Sequence, residues 1–210
     1  LKKIKLIAEI GINHNGEYDK AESLILKASE VGADAIKFQY RNLNNTYSNN
    51  NDQEIGDEIL KAEIDKCFLN TIQIKKLCEF SKDKGLETGI SFFSSKDVED
   101  FDDLEKFDFF KIPSVEFTNF KLIKRLINTG KQLFISSGCS SEDEVIEVIN
   151  YLSKYKNWTL MHCVSNYPLS IQNSQLGYIK HLKKIVGKDI GYSSHDKDWE
   201  NCLIAAALGV

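Results

Sequence analysis

Two lysines and a glutamate interrupt runs of apolar residues. Glu9 lies in residues 6–11 (LIAEIG), Lys37 in residues 35–39 (AIKFQ) and Lys111 in residues 109–112 (FFKI). An ionised group inside so apolar a strand costs free energy unless it is paired or used. Strand alternation puts Leu6, Ala8 and Ile10 on one face and Ile7, Glu9 and Gly11 on the other. The same alternation separates Ala35, Lys37 and Gln39 from Ile36 and Phe38. One face per strand then collects Glu9, Lys37, Gln39, Ser91, Lys111, Ser136, Ser165, Ser193 and His195, at or just past the strand ends. A single strand lysine is commonly a snorkelling or salt-bridged side chain. A single serine is commonly turn or cap chemistry. So many at equivalent positions point to function rather than structure.

The residue types suggest which function. Lys37 and Lys111, with Ser91, Ser114, Ser136 and Ser193, offer N–H and O–H donors to an oxyanion such as phosphate or carboxylate. There is no GxxxxGK[ST] and no GxGxxG, so neither a P-loop nor a dinucleotide fingerprint is supported. His195, followed by Asp196, is a candidate metal ligand or general acid–base. His14, between Asn13 and Asn15, suits a structural loop role and ligand contact equally. His162 alternates away from Ser165 and is expected to be a satisfied buried histidine or a supporting group. His181 belongs to a Lys-rich helix and is expected at the surface. Cys163 shares the alternation of Ser165, but nothing nearby in the sequence marks it as a nucleophile.

The elements that must carry these groups follow from periodicity. Strands are expected at residues 4–10, 35–39, 86–92, 109–112, 132–135, 158–164 and 189–192. Helices are expected at 18–31, 56–66, 71–84, 96–106, 119–128, onward from Ser141, 175–186 and 199–208. Thr71 is expected to cap its helix and Gly85 to stop it, while Ser141 and Glu144 form a capping box. Residues 40–53 are Asn-rich and read as a long loop. Seven strand–helix units imply a parallel sheet with helical crossovers. The expected fold class is α/β, a (β/α)8 TIM barrel with seven of its eight units in this chain, residues 1–210 forming one incomplete barrel domain. A seven-stranded open doubly wound sheet is the alternative. In a barrel, these polar strand ends form the active-site face.

Composition narrows the setting. At 210 residues the chain fits one domain with a substantial core. Hydrophobic content of 42% and a net charge of −4 suit a globular protein and give no bulk case for nucleic-acid binding. The five cysteines form no CxxC pair and are odd in number, which implies reduced thiols and a cytoplasmic location. No apolar run reaches the length of a membrane span, and no signal peptide is expected.

Six stretches in order carry a family resemblance: residues 7–16 (IAEIGINHNG), 34–39 (DAIKFQ), 110–114 (FKIPS), 134–138 (FISSG), 162–168 (HCVSNYP) and 191–195 (GYSSH). Together they resemble the sialic acid synthase family, which condenses phosphoenolpyruvate with an N-acetylated amino sugar to make nonulosonic acids. The resemblance implies a (β/α)8 barrel with a divalent metal, Mn2+ or Mg2+. The metal polarises the sugar aldehyde, phosphoenolpyruvate C3 attacks it, and water adds at C2 before phosphate leaves by C–O cleavage.

Carried over by motif, Glu9 resembles the carboxylate that handles the water. Lys37 and Lys111 resemble the phosphoenolpyruvate clamps, with Ser91, Ser114, Ser136, Ser165 and Ser193. Gln39, Glu116 and Tyr167 resemble sugar contacts, and His195 resembles one of two metal histidines. Ser165 stands where some members have Asn, and residues 91–94 (SFFS) replace a usual Thr-Pro-Phe. The resemblance implies that an eighth unit with the second metal histidine, and a C-terminal antifreeze-like domain, lie beyond Val210. It also implies a homodimer when full length. A non-catalytic anion-binding or assembly module, derived from a truncated barrel, is the alternative function.

Overall fold

The computed structural model describes residues 4–46 and 58–210. Strands and helices alternate along the chain, and seven strands, β1 to β7, follow one another in sheet order. The chain divides into two compact units, Lys5–Phe110 and one holding Lys111–Val210.

The first unit contains β1 (Ile7–Gly11), α1 (Tyr18–Glu30), β2 (Ala35–Tyr40), α2 (Leu43–Thr46), α3 (Glu58–Lys66), α4 (Thr71–Asp83) and β3 (Glu87–Phe92). β1 pairs with β2 and β2 with β3, both in parallel. The α1 helix buries Ala21, Ile25 and Ala28, the stripe expected from its spacing. Behind the strands, Phe101 packs edge-on to Tyr40 and Phe92, with ring centroids 4.8 and 5.5 Å away. Gly89 is required in β3 because a Cβ there would meet the Phe109 ring at 2.0 Å.

Three expectations are corrected in this unit. The cap of α4 is Asn70, not Thr71: Asn70 accepts from Gln73 N, and the Gln73 side chain accepts from Asn70 N, each at 3.0 Å. Residues 96–106 form two 3-10 turns, Asp97–Asp100 and Leu104–Lys106, not a helix. Side-chain bonding by acids explains this. Asp97 accepts from Phe93 N and Asn42 N, and Asp103 accepts from Glu105 N, so local bonds compete with helical ones. Within the expected loop 40–53, residues 43–46 are helical, and 47–53 lie outside the described residues. The start of the expected helix at 56–57 lies outside them too.

Strand β4 (Phe109–Ile112) spans the division. The second unit continues with α5 (Phe120–Ile127), β5 (Gln132–Ser136), α6 (Glu142–Leu152), β6 (Trp158–Cys163), α7 (Tyr178–Val186), β7 (Gly191–Ser193) and α8 (Glu200–Ala207). β5 pairs with β6 and β6 with β7, again in parallel. The core side of α5 is Leu122, Ile123, Leu126 and Ile127. The Ser141–Glu144 capping box opens α6 as expected. All five cysteines are free thiols. Among the described residues no helix is long and apolar enough to cross a membrane.

Candidate functional site

Two groups of polar side chains gather at the C-terminal ends of strands, one in each unit. In the first unit, register places Glu9 opposite Lys37 and Gln39 opposite Ser91. Lys37 is buried, and its Nζ lies 2.5 Å from Glu9 Oε2. The same ammonium donates to Ser91 Oγ at 3.1 Å. These two partners offset the cost of burying the charge. The β1 register slips between Glu9 and Gly11, where Gly11 takes φ +48°. A Cβ on Gly11 would stand 2.8 Å from Glu9 Oε1 and 3.2 Å from Gln39 Nε2. Glycine therefore permits the carboxylate and the amide to flank this turn.

His14 holds the loop that follows. Its Nδ1 accepts from Gly16 N at 3.0 Å, and Nε2–H donates to Gly11 O at 2.9 Å. Burial lowers its pKa below the ordinary 6.5. A buried neutral ring with both nitrogens engaged resolves the two roles open for His14 in favour of loop structure.

In the second unit, Lys111 Nζ donates to Ser193 Oγ at 2.8 Å. Ser136, at the end of β5, is 1% exposed, and its buried Oγ has no hydrogen-bond partner among the described residues. The buried Oγ of Ser165 likewise has none. A Cβ at Gly138 would lie 2.4 Å from Ser165 Oγ and 2.7 Å from Ser114 Oγ, so both hydroxyls converge on this glycine. Buried hydroxyls are rarely left without partners, and two here are donors in waiting.

His195 follows β7. Its Nδ1 bonds Val164 O at 3.0 Å, and its Nε2 meets Tyr167 OH at 3.2 Å. The Tyr167 ring lies 4.1 Å from the imidazole, centroid to centroid. A carbonyl on Nδ1 selects the tautomer whose Nε2 carries the lone pair. Behind the loop, Asp196 accepts from Tyr192 OH at 2.7 Å and Asn201 Nδ2 at 2.6 Å. Burial pushes the Asp196 carboxyl up, and bonds from Ser194, Asn201 and Tyr192 more than offset it, leaving its pKa lowered.

Cys163 departs from its sequence reading. Its Sγ lies 3.8 Å from His195 Nδ1 and accepts from Ser114 Oγ at 3.5 Å. Burial raises the thiol pKa, but the bonds to His195 and Ser114 and the nearby charges of His195 and Lys111 outweigh it, so the net shift is downward. For His195, burial lowers the pKa, and the Cys163 and Val164 contacts reverse the shift, so the net is upward. The sequence carried no signal for this pair, because Cys163 and His195 stand 32 positions apart.

Glu116 closes the 3-10 turn Ser114–Glu116 and accepts from Asn119 Nδ2 at 2.6 Å. His162 is buried and bonds Ser174 O at 2.9 Å, as a satisfied histidine. His181 is exposed and faces Glu142 at 3.2 Å. Among the described residues no three His, Cys, Asp or Glu side chains converge as metal donors. His195 offers one nitrogen of a suitable tautomer, which is not by itself a metal centre.

Comparison with known proteins gives a consistent result. A model of the NeuB family matches residues 24–210. N,N'-diacetyllegionaminic acid synthase of Campylobacter jejuni is 33% identical over 229 residues, covering 100% of this chain and 66% of that protein. N-acetylneuraminate-9-phosphate synthase of Mus musculus is 29% identical, covering 97% of this chain and 59% of that protein. The chain thus spans less than two thirds of the length of these curated relatives. Among solved structures, N-acetylneuraminic acid (sialic acid) synthetase of Leptospira borgpetersenii, in complex with citrate, superposes with a TM-score of 0.85. It is 27% identical and covers 100% of this chain, which covers 71% of it.

Proposed function

The chain belongs to the NeuB family, and from that membership we propose that the protein carrying it condenses phosphoenolpyruvate with an N-acetylated amino sugar. The products are a nonulosonic acid and phosphate. The observation that carries this reading is the second-unit group: Lys111 bonded to Ser193, with the buried Ser136 and Ser165 hydroxyls unpartnered among the described residues. A cation with several O–H donors is what a carboxylate and phosphate require. The citrate held by the Leptospira relative supports an oxyanion site of this kind.

In this proposal Lys111, Ser114, Ser136, Ser165 and Ser193, together with Lys37 and Ser91, bind phosphoenolpyruvate. C3 of phosphoenolpyruvate forms a bond to the sugar aldehyde carbon as the aldehyde π bond breaks and its oxygen takes up a proton; water adds at C2, and phosphate departs with its bridging oxygen. Glu9 accepts the proton of that water. Gln39, Glu116 and Tyr167 contact the sugar. A divalent cation, Mn2+ or Mg2+, belongs to the proposal with His195 as its described donor, and it supplies Lewis-acid polarisation of the aldehyde when bound. The sugar is N-acetylmannosamine or a bacillosamine- or altrosamine-derived relative, as the legionaminic acid and sialic acid names of the similar proteins suggest. A cytoplasmic location, a homodimer of the full-length protein, and residues 1–210 as part of one (β/α)8 barrel complete the proposal.

The test is phosphate release by the full-length protein from phosphoenolpyruvate with each amino sugar in turn. Release with at least one sugar is expected. Its absence with all of them overturns the proposal and favours the non-catalytic module. In the same assay Lys111→Ala is expected to raise KM for phosphoenolpyruvate about 10- to 100-fold, the scale of a lost charge-assisted bond.

A further inference from the structure

Asn15 is followed by Gly16, the pairing in which a side-chain amide is most open to attack by the next backbone nitrogen, because glycine has no Cβ to shield it. Asn15 is exposed in the turn that joins β1 to α1. It takes φ +51°, and Gly16 takes φ +78°. A Cβ on Gly16 would lie 2.2 Å from Lys66 O, so the turn permits only glycine there and keeps the reactive pairing. Yet the attacking atom is held. Gly16 N donates to His14 Nδ1 at 3.0 Å. The His14 side of the bond is rigid: the residue is 2% exposed, and its other ring nitrogen is tied to Gly11 O at 2.9 Å. Asn15 N donates to Ile12 O at 3.0 Å and Glu17 N to His14 O at 2.9 Å, so the backbone on both sides is bonded too. Burial lowers the His14 pKa, which keeps Nδ1 an acceptor at neutral and alkaline pH.

We propose that Asn15 is a latent deamidation site and that the hydrogen bond from Gly16 N to His14 keeps it closed. In the reaction Gly16 N bonds to Asn15 Cγ and gives up its proton, the Cγ–Nδ2 bond breaks, and ammonia leaves with that proton. Water then opens the cyclic imide at either carbonyl, giving aspartate or isoaspartate. The attack needs Gly16 N to swing towards Cγ, and that movement breaks its bond to His14. Nδ1 is then left buried without a donor, which is the costly arrangement. The bond therefore slows ring closure about 10- to 100-fold relative to the unfolded chain. The modification also reaches the site. It puts a new carboxylate, and for isoaspartate an extra main-chain carbon, into the loop that His14 ties to Gly11, the bare turn beside Glu9 and Gln39.

The experiment incubates the full-length protein at mildly alkaline pH and follows Asn15 by peptide mapping, with aspartate and isoaspartate scored separately. The same protein unfolded in guanidinium chloride gives the unrestrained rate. The folded parent is expected to deamidate at Asn15 about 10- to 100-fold more slowly than the unfolded chain. Equal rates overturn the proposal. His14→Gln carries its amide past the Nδ1 position and is expected to speed deamidation of the folded protein about tenfold. His14→Asn places Oδ1 close to where Nδ1 stood and is expected to stay near the parent rate. A folded His14→Gln that deamidates no faster than the parent overturns the proposal. Acceleration of equal size in both variants also overturns it, by assigning the protection to the fold at large. Circular dichroism establishes that each variant is folded. Where His14→Gln does not fold, hydrogen exchange at Gly16 N of the parent decides. Slow exchange in this exposed turn supports the bond to His14, and exchange at the rate of the unfolded chain overturns it.

Discussion

Gly138 contributes no side chain, yet its bareness makes room for two hydroxyls. An added Cβ would collide with the hydroxyls of Ser114 and Ser165. Gly138→Ala is therefore expected to raise KM for phosphoenolpyruvate about tenfold and to cost about 1–3 kcal/mol of stability by overpacking. Steady-state kinetics and urea denaturation read the two effects separately. At this scale the sequence disclosed charge but not proximity. Lys37 and Lys111 were legible because an ammonium in an apolar strand is itself an anomaly. Gly138 was not, because its reason is a contact with residues 24 and 27 positions away. Cys163 was missed for the same reason.

Elements were legible where periodicity and capping agreed. The Ser141–Glu144 box and the apolar stripe of α1 are both present as expected. The α4 cap slipped by one residue, since Asn70 and Thr71 are both good caps and only geometry separates them. Asn70→Ala is expected to cost about 0.5–2 kcal/mol, and Thr71→Ala much less, in a urea titration of both variants. Residues 96–106 failed as a helix because two aspartates, Asp97 and Asp103, turn their carboxylates onto nearby N–H groups. Such bonds are invisible to a pattern that counts apolar spacing. One of them ties Asp97 to Asn42, on the segment after β2, so this irregular stretch anchors the start of that segment.

For the whole molecule, His14 and His162 are expected to lower stability in mild acid, and His195, whose pKa is raised, to oppose them in part. His14 and His162 are buried, and burial lowers both pKa values below the ordinary 6.5. As pH falls through 6.5, the unfolded chain takes up protons that the folded chain refuses, so folding stability falls with pH. The denaturation midpoint is expected to drop between pH 7.5 and pH 5.5, and His162→Gln to flatten that dependence. A slope unchanged in the variant assigns the effect to other groups. The order of seven strand–helix units was legible at this scale because regular alternation leaves few topologies. The two-unit division was not, since the sequence carries no break in composition near Phe110.

The pairing of Lys37 with Glu9 has a kinetic meaning. The ammonium already owns an internal counterion at 2.5 Å. An oxyanion that reaches Lys37 exchanges with that carboxylate rather than adding to a bare charge. The local net charge before loading is near zero, which softens the dependence of affinity on ionic strength. In the proposed reading, that exchange would also release Glu9 at the moment of loading. In the proposed condensation, a carboxylate held idle until then would not act on water ahead of its turn, so the strand pair would order the two steps.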